Sequence, residues 1–115
     1  MMDAPTPKQL HLADRERRLR ERHEGDLRAM LKGPEGRRIA YWLLAEAGVW
    51  RSSFIAGQPD STAKNEGRRE MGLLLLDDLM AAKPEALLQM QNEYASEQKQ
   101  FADEDAKLDK EAEEA

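Results

Sequence analysis

The sequence contains no cysteine and few aromatic residues, and it has no long apolar run. Without cysteine the chain has no disulfide framework, thiolate metal site or cysteine nucleophile. The leucine run from Leu73 to Leu76, like every other apolar run in the sequence, falls far short of the roughly 20 residues that cross a bilayer. The N-terminus also lacks the apolar core of a signal peptide. We therefore expect a soluble protein that does not enter a membrane and is not exported by that route.

The composition favours helices. Of 115 residues, 40% are hydrophobic, 36% are charged and 5% are aromatic, which suits one small core with polar extensions. Ala, Leu, Glu, Lys, Arg and Gln are abundant, and β-branched runs are absent. The sequence predicts an all-α fold, a small helical bundle or helical hairpin core with an extended N-terminal arm and a long polar C-terminal helix. The predicted segments are an arm over 1–8, a helical core over 9–82 and an acidic helix or tail over 83–115.

Two copies of Glu-Gly-Arg-Arg organise the chain, at positions 35–38 and 66–69. A leucine pair follows each copy at the same distance, which predicts two matched helices of one core. Each copy places two guanidinium groups near a helix N-terminus, where the macrodipole disfavours cations. The arginines therefore either pair with carboxylates inside the domain or bind an anion or a partner. They are Arg37, Arg38, Arg68 and Arg69, and the candidate internal carboxylates are Glu35, Glu46, Glu66, Asp77 and Asp78.

Proline and glycine predict the helix boundaries. The first helix covers about 9–32, with a break or kink near Gly25 that gives two short helices or one bent helix. The second covers about 34–47, with Gly48 as a left-handed cap. The third runs from Asp60 or Ser61 to about Ala82, and the fourth opens at Pro84. Glycines 36, 67 and 72 either allow close helix approach or are merely tolerated.

Apolar periodicity predicts the buried faces of the second and third helices. The connector after Gly48 is unusually hydrophobic, so we expect it to fold back over the core. We interpret Trp42, Trp50 and Phe54 as packing residues rather than a binding platform. The helix residues expected in the core are Ile39, Ala40, Trp42, Leu43, Ala47, Met71, Leu74, Leu75 and Leu79.

The fourth helix carries a thin apolar seam, because Leu87, Tyr94, Phe101 and Leu108 recur every seven residues among polar neighbours. Such a seam suits a helix that lies along a partner or associates loosely with itself. Residues 85–115 contain three basic and ten acidic residues, although the whole chain has a net charge of only -5. This acidity disfavours nucleic acid as a partner. We expect the last dozen residues to be frayed or disordered in isolation.

No constellation of residues indicates catalysis or cofactor binding. The two histidines lack metal-ligand spacing, the serines lack an activating base, and the glycines do not form a phosphate loop. We expect no enzyme activity, no cofactor and no metal. The arginines between positions 15 and 22 are the best case for DNA binding, but interleaved acids favour pairs within the helix instead.

Three motifs in combination resemble the Bbp-nineteen-like family of small tailed-phage proteins. They are Gly36-Arg37-Arg38 with its leucine pair, Gly48-Val49-Trp50 with Phe54, and Glu66-Gly67-Arg68-Arg69 with Gly72-Leu73. The resemblance covers about residues 27–82. It implies a gene among those for head and portal components, and it brings no known activity.

Small helical phage proteins with polar arms are often virion or assembly components. The leading hypothesis is a virion structural protein that binds in many copies to portal, tail or inner head (capsid) proteins, or that forms a homo-oligomer. It would lie in the host cytoplasm during assembly. The alternatives are a transient scaffold-like or packaging accessory protein and a DNA-associated internal or regulatory protein. The candidate partner-binding residues are Arg37, Arg38, Arg68, Arg69, Trp50, Phe54, Tyr94 and Phe101.

Overall fold

The computed structural model describes residues 3–115, so Met1 and Met2 of the predicted arm lie outside the described residues. Within this range the chain forms helices and no strand, which confirms the all-α fold. In chain order the helices are α1 (Pro7–Lys32), α2 (Pro34–Glu46), α3 (Pro59–Ala82) and α4 (Ala86–Glu114).

Helix α1 begins at Pro7, two residues earlier than predicted, because Thr6 and Gln9 form a capping box. The Gln9 N–H donates to Thr6 Oγ1 at 3.1 Å, and the Thr6 N–H donates to Gln9 Oε1 at 2.8 Å. The predicted arm therefore loses its last two residues to the helix. The chain does not break into two helices at Gly25, since α1 continues to Lys32. Its last two turns bury Leu27 and Leu31, and this packing outweighs the roughly 1 kcal/mol that a helical glycine costs.

Helix α2 ends in the predicted glycine cap. Gly48 has a φ of 80°, its N–H donates to Ala45 O at 3.0 Å, and the next N–H, from Val49, donates to Leu44 O at 3.2 Å. These two bonds form a Schellman motif. The motif turns the chain so that Val49 enters the core with 7% of its surface exposed.

The core lies where the end of α1, α2, α3 and the start of α4 meet. Its largest fully buried side chains are Leu31, Leu44 and Leu79, one from each of the first three helices. Ala86 and Met90 complete it from α4. The first half of α1 and the second half of α4 project beyond it, so the molecule measures 83 × 42 × 17 Å. The radius of gyration is 21.5 Å, against about 13 Å for a compact chain of this length.

Five residues expected in the core are instead exposed, by between 43% and 66% of their surface. The reason is that α2 and α3 are apolar over a wider arc than their neighbours cover. In α2 the buried positions are Ala40 and Leu44, which lie one turn apart. Ala47, at the end of α2, and Leu75 of α3 are half-buried. Of the large side chains predicted to lie in the core, Leu79 alone is fully buried. The five exposed residues are Ile39, Trp42, Leu43, Met71 and Leu74.

The glycines of the two matched motifs lie in different surroundings. A Cβ built on Gly36 would collide with the backbone carbonyl of Met30 in α1, whereas one built on Gly67 would meet no atom within 4 Å. Gly72 is also closely packed, because an added Cβ would lie 2.6 Å from Ala47 Cβ and from Val49 Cγ2. Close approach is thus the reason for Gly36 and Gly72 but not for Gly67.

Opposite effects on stability are therefore expected from the same substitution in the two motifs. Gly36→Ala should lower the free energy of unfolding by about 1–3 kcal/mol, because α1 and α2 must separate. Gly67→Ala should raise it by about 0.5–1 kcal/mol, because alanine favours the helix and meets open space. Urea unfolding followed by circular dichroism measures both. Equal shifts in one direction would contradict the difference in packing.

Candidate functional site

Arg37 is held inside the molecule. Its side chain is 11% exposed, and its Nε donates to Glu93 of α4 at 2.9 Å from Oε1 and 3.2 Å from Oε2. Its Nη1 donates to the carbonyl oxygens of Leu31 at 3.0 Å and Lys32 at 2.8 Å. Those carbonyls belong to the last turn of α1, where intrahelical partners run out. Arg37 therefore joins α1, α2 and α4, and internal pairing is confirmed for it, although Glu93 was not among the carboxylates proposed.

In the second motif it is the second arginine, Arg69, that lies partly inside the molecule. Arg69 is half-buried, and its Nε is buried without a hydrogen-bond acceptor among residues 3–115. Arg38 and Arg68 are both exposed. The inward residue is thus the first arginine in the α2 motif and the second in the α3 motif, so the two motifs are matched in sequence but not in contacts.

Arg68 and Arg69 line a cavity of about 230 Å³ between α3 and the connector, together with Arg51, Glu46, Ser53 and Asn65. The Asn65 amide donates to Ser53 O at 3.3 Å and ties α3 to the connector there. We name this cavity the arginine cavity.

Tyr41 connects two of the aromatic residues singled out in the sequence. Its ring centroid lies 5.9 Å from that of Trp50 and 5.0 Å from that of Tyr94, within the range of favourable aromatic pairs. Burial raises the pKa of the Tyr41 phenol above its usual value, and Tyr94 adds to the shift. Tyr41 was missed in the sequence, although it lies one turn after Arg37 and so shares the α2 face that meets α4. We call the row formed by Trp50, Tyr41 and Tyr94 the aromatic row.

Trp42 and Phe54 do not pack in the core as expected, because they are 60% and 71% exposed. Trp50 is 43% exposed and packs from the connector on Tyr41. The connector contributes only Val49 to the core. Phe54 does not join the aromatic row and lies instead beside an open cavity of about 300 Å³ at the start of α3.

Helix α4 continues the aromatic row away from the core. Tyr94, Phe101 and Leu108 are 47%, 49% and 62% exposed, and residues seven apart in a helix differ by only about 20° in direction. They form one apolar line, the α4 stripe. The helix extends to Glu114, so the expected disorder of the last dozen residues is not seen here; Ala, Glu and Lys are good helix formers.

The basic residues at the front of α1 pair with acids of the same helix. Arg17 donates to Asp14 at 2.6 Å and to Glu21 at 3.0 Å, and Arg18 lies 3.0 Å from Asp14. The hydrogen bond from Arg17 lowers the pKa of Asp14, and the same bond raises the pKa of Arg17. Intrahelical pairing is thus confirmed for these two arginines.

The described part of the chain contains neither a candidate metal site nor a helix that could span a membrane. Across residues 3–115, no three His, Cys, Asp or Glu side chains are grouped so that they could hold a metal ion. In the same range, no helix is both long enough and apolar enough to span a bilayer.

Residues 27–92 match the model of a protein family described as Bbp19-like phage protein. The chain belongs to this family. The first and last buried side chains are Leu27 and Met90, so the Bbp19-like segment coincides with the helical core. The projecting parts of α1 and α4 lie largely outside it. The resemblance seen in the sequence is confirmed and extends into α4. No curated protein and no solved structure matches the chain.

Replacement of Arg37 should destabilise the Bbp19-like core far more than replacement of its neighbour. Arg37→Gln leaves Glu93 and two α1 carbonyls without their donor, and we expect a loss of about 1.5–3 kcal/mol. Arg38→Gln, an identical change at an exposed position, should stay within about 0.5 kcal/mol. Thermal unfolding measures both, and a cycle with Glu93→Gln isolates the pair. Equal stability of the two variants would show that the Arg37 contacts do not hold the helices.

Proposed function

We propose that this phage protein is a structural component of the virion that binds in many copies to portal, tail or inner head proteins. The observation that carries the proposal is the α4 stripe, an apolar line on a helix that extends beyond the core. Its three side chains are between 47% and 62% exposed within residues 3–115. The aromatic row joins the stripe to the core. Together they form the surface that we assign to the partner.

The chemistry of this surface fits protein recognition. Aromatic side chains contribute large apolar area with few rotatable bonds, and they dominate the energetics of many interfaces. A helix with anchors at regular spacing typically lies in a groove or along a second helix. From Ala95 to Glu114, α4 projects by about 30 Å at 1.5 Å per residue. That is long enough to reach a neighbouring subunit.

The same features support a binding role rather than catalysis. The exposed rings and the arginine cavity lack a paired nucleophile and base, and the abundant carboxylates lie on solvated faces. We propose that the protein works without a cofactor. Direct DNA binding is the weaker alternative, because Arg17 and Arg18 already contact Asp14 and Glu21.

A transient scaffold-like or packaging accessory role is the second candidate, and the acidic α4 favours it. Ten of the 31 residues from 85 to 115 are acidic and three are basic. Such a helix would bind a basic surface weakly in moderate salt, as a protein that must later leave the particle requires. The two candidates differ in whether the protein remains in mature particles.

The proposal predicts a fixed copy number in purified mature particles, measured by quantitative mass spectrometry. The double variant Phe101→Glu, Leu108→Glu should reduce that copy number at least about tenfold, because it places charges in an apolar contact. The matched control is Ser96→Glu, Ala106→Glu, which adds the same charge on the opposite side of α4 and should leave it unchanged.

Absence from mature particles, with presence in precursors, would replace the structural role with the scaffold role. A normal copy number in the stripe variant would contradict the assignment of the α4 stripe as the docking surface.

A further inference from the structure

The arginine cavity has an excess of positive charge in an acidic protein. Three guanidinium groups, those of Arg51, Arg68 and Arg69, line it with one carboxylate, that of Glu46. The whole chain has a net charge of -5. Within residues 3–115 none of the three arginines forms an ion pair with a carboxylate. The cavity is thus a concentrated positive site that the described chain does not neutralise.

Arg69 provides a second and independent observation. Its Nε is buried and forms no hydrogen bond within the described chain. A buried donor without a partner costs about 1–3 kcal/mol, so native proteins rarely leave one unexplained. Arg69 also lines the cavity. Guanidinium groups form short, strong bonds to carboxylates, so an anion that draws the Arg69 side chain toward the cavity would relieve this penalty.

Arg51 lines the cavity from the connector. Its Nη2 donates to Ala45 O at 3.4 Å, which is a long contact. A Cβ on Gly48 would lie 3.7 Å from that same nitrogen, so the guanidinium lies over the glycine cap. The weak backbone contact leaves its other donors for a ligand.

We propose that the arginine cavity binds carboxylates at the acidic end of α4 from a second copy of this chain. This end, residues 103–114, carries seven acidic and two basic residues, and all of them are exposed. It is also the C-terminus of a helix, where unpaired carbonyls add negative charge.

This contact joins two different surfaces, so the association is head-to-tail. Such contacts close into rings or continue as open chains, depending on the rotation between copies. The inference rests on the proposed function and deepens it, because it states which two surfaces would hold the copies together.

The test is sedimentation velocity of the full-length protein over a range of concentration and salt. The native chain should self-associate, and association should weaken as salt rises. The cavity variant, Arg51→Gln with Arg69→Gln, and the tail variant, Glu111→Gln with Glu113→Gln and Glu114→Gln, should each weaken it at least about tenfold. Arg15→Gln with Arg20→Gln changes the same charge as the cavity variant on exposed α1 and should have no effect.

A mixture of the two variants provides the sharpest result. One partner retains the tail and the other retains the cavity, so the mixture should form dimers but nothing larger. Failure of the mixture to dimerise would overturn the proposal, as would a native chain that stays monomeric. Arg69-dependent binding of inorganic phosphate or a short DNA duplex, without self-association, would also overturn it and assign the cavity to phosphate.

Circular dichroism verifies that each variant is folded. If the cavity variant unfolds, the tail variant still tests the proposal, because its three substituted positions are exposed. The outcome is separable from that of the virion experiment: a fixed copy number in particles together with no head-to-tail association would contradict this inference alone.

Discussion

The placement of α4 depends on the guanidinium of Arg37. Only Ala86 and Met90 of this helix are buried, so the buried apolar packing covers its first turn and a half, and beyond it Tyr94 contacts Tyr41. Arg37 binds Glu93 beyond that point and, with the same planar group, the last carbonyls of α1. A lysine would supply one point charge, whereas the arginine fork reaches both helices at once. The direction in which the α4 stripe projects follows from this contact.

The doubled motif shows how identical local sequences acquire different roles. Helix α2, which carries the first copy, follows α1 after a single residue, so Gly36 lies against Met30 and Arg37 reaches the end of α1. The α3 copy lies two turns into its helix, beyond the long connector, where Gly67 meets open space. With no preceding helix end to bind, its arginines face the connector and its cavity. The chain connection, rather than the motif, decides which residues turn inward.

Local rules accounted for most of the fold, because proline, glycine and capping act over a few residues. The helix ends near Lys32, Glu46 and Ala82 and the left-handed cap at Gly48 could all be predicted. The burial of α2 could not, since an apolar arc does not reveal how much of it four thin helices will cover. Nor could the Arg37–Glu93 pair, which spans 56 positions. In the candidate site, the seven-residue spacing identified the α4 stripe, whereas Tyr41 and Arg69 depend on tertiary contacts.

The small core and the wide apolar surface are connected, because apolar residues that the core does not bury remain exposed. Ile39, Trp42, Leu43 and Phe101 are all more than 40% exposed, and monomeric soluble proteins rarely show large continuous apolar patches without a binding role. The core is limited to the Bbp19-like segment, so a wide apolar area remains on the surface. In the proposed virion role, this apolar area and the unneutralised arginines would be available for contacts between subunits. A protein that assembles in this way would gain much of its burial on assembly, and its neighbours would then explain its surface better than its own core does.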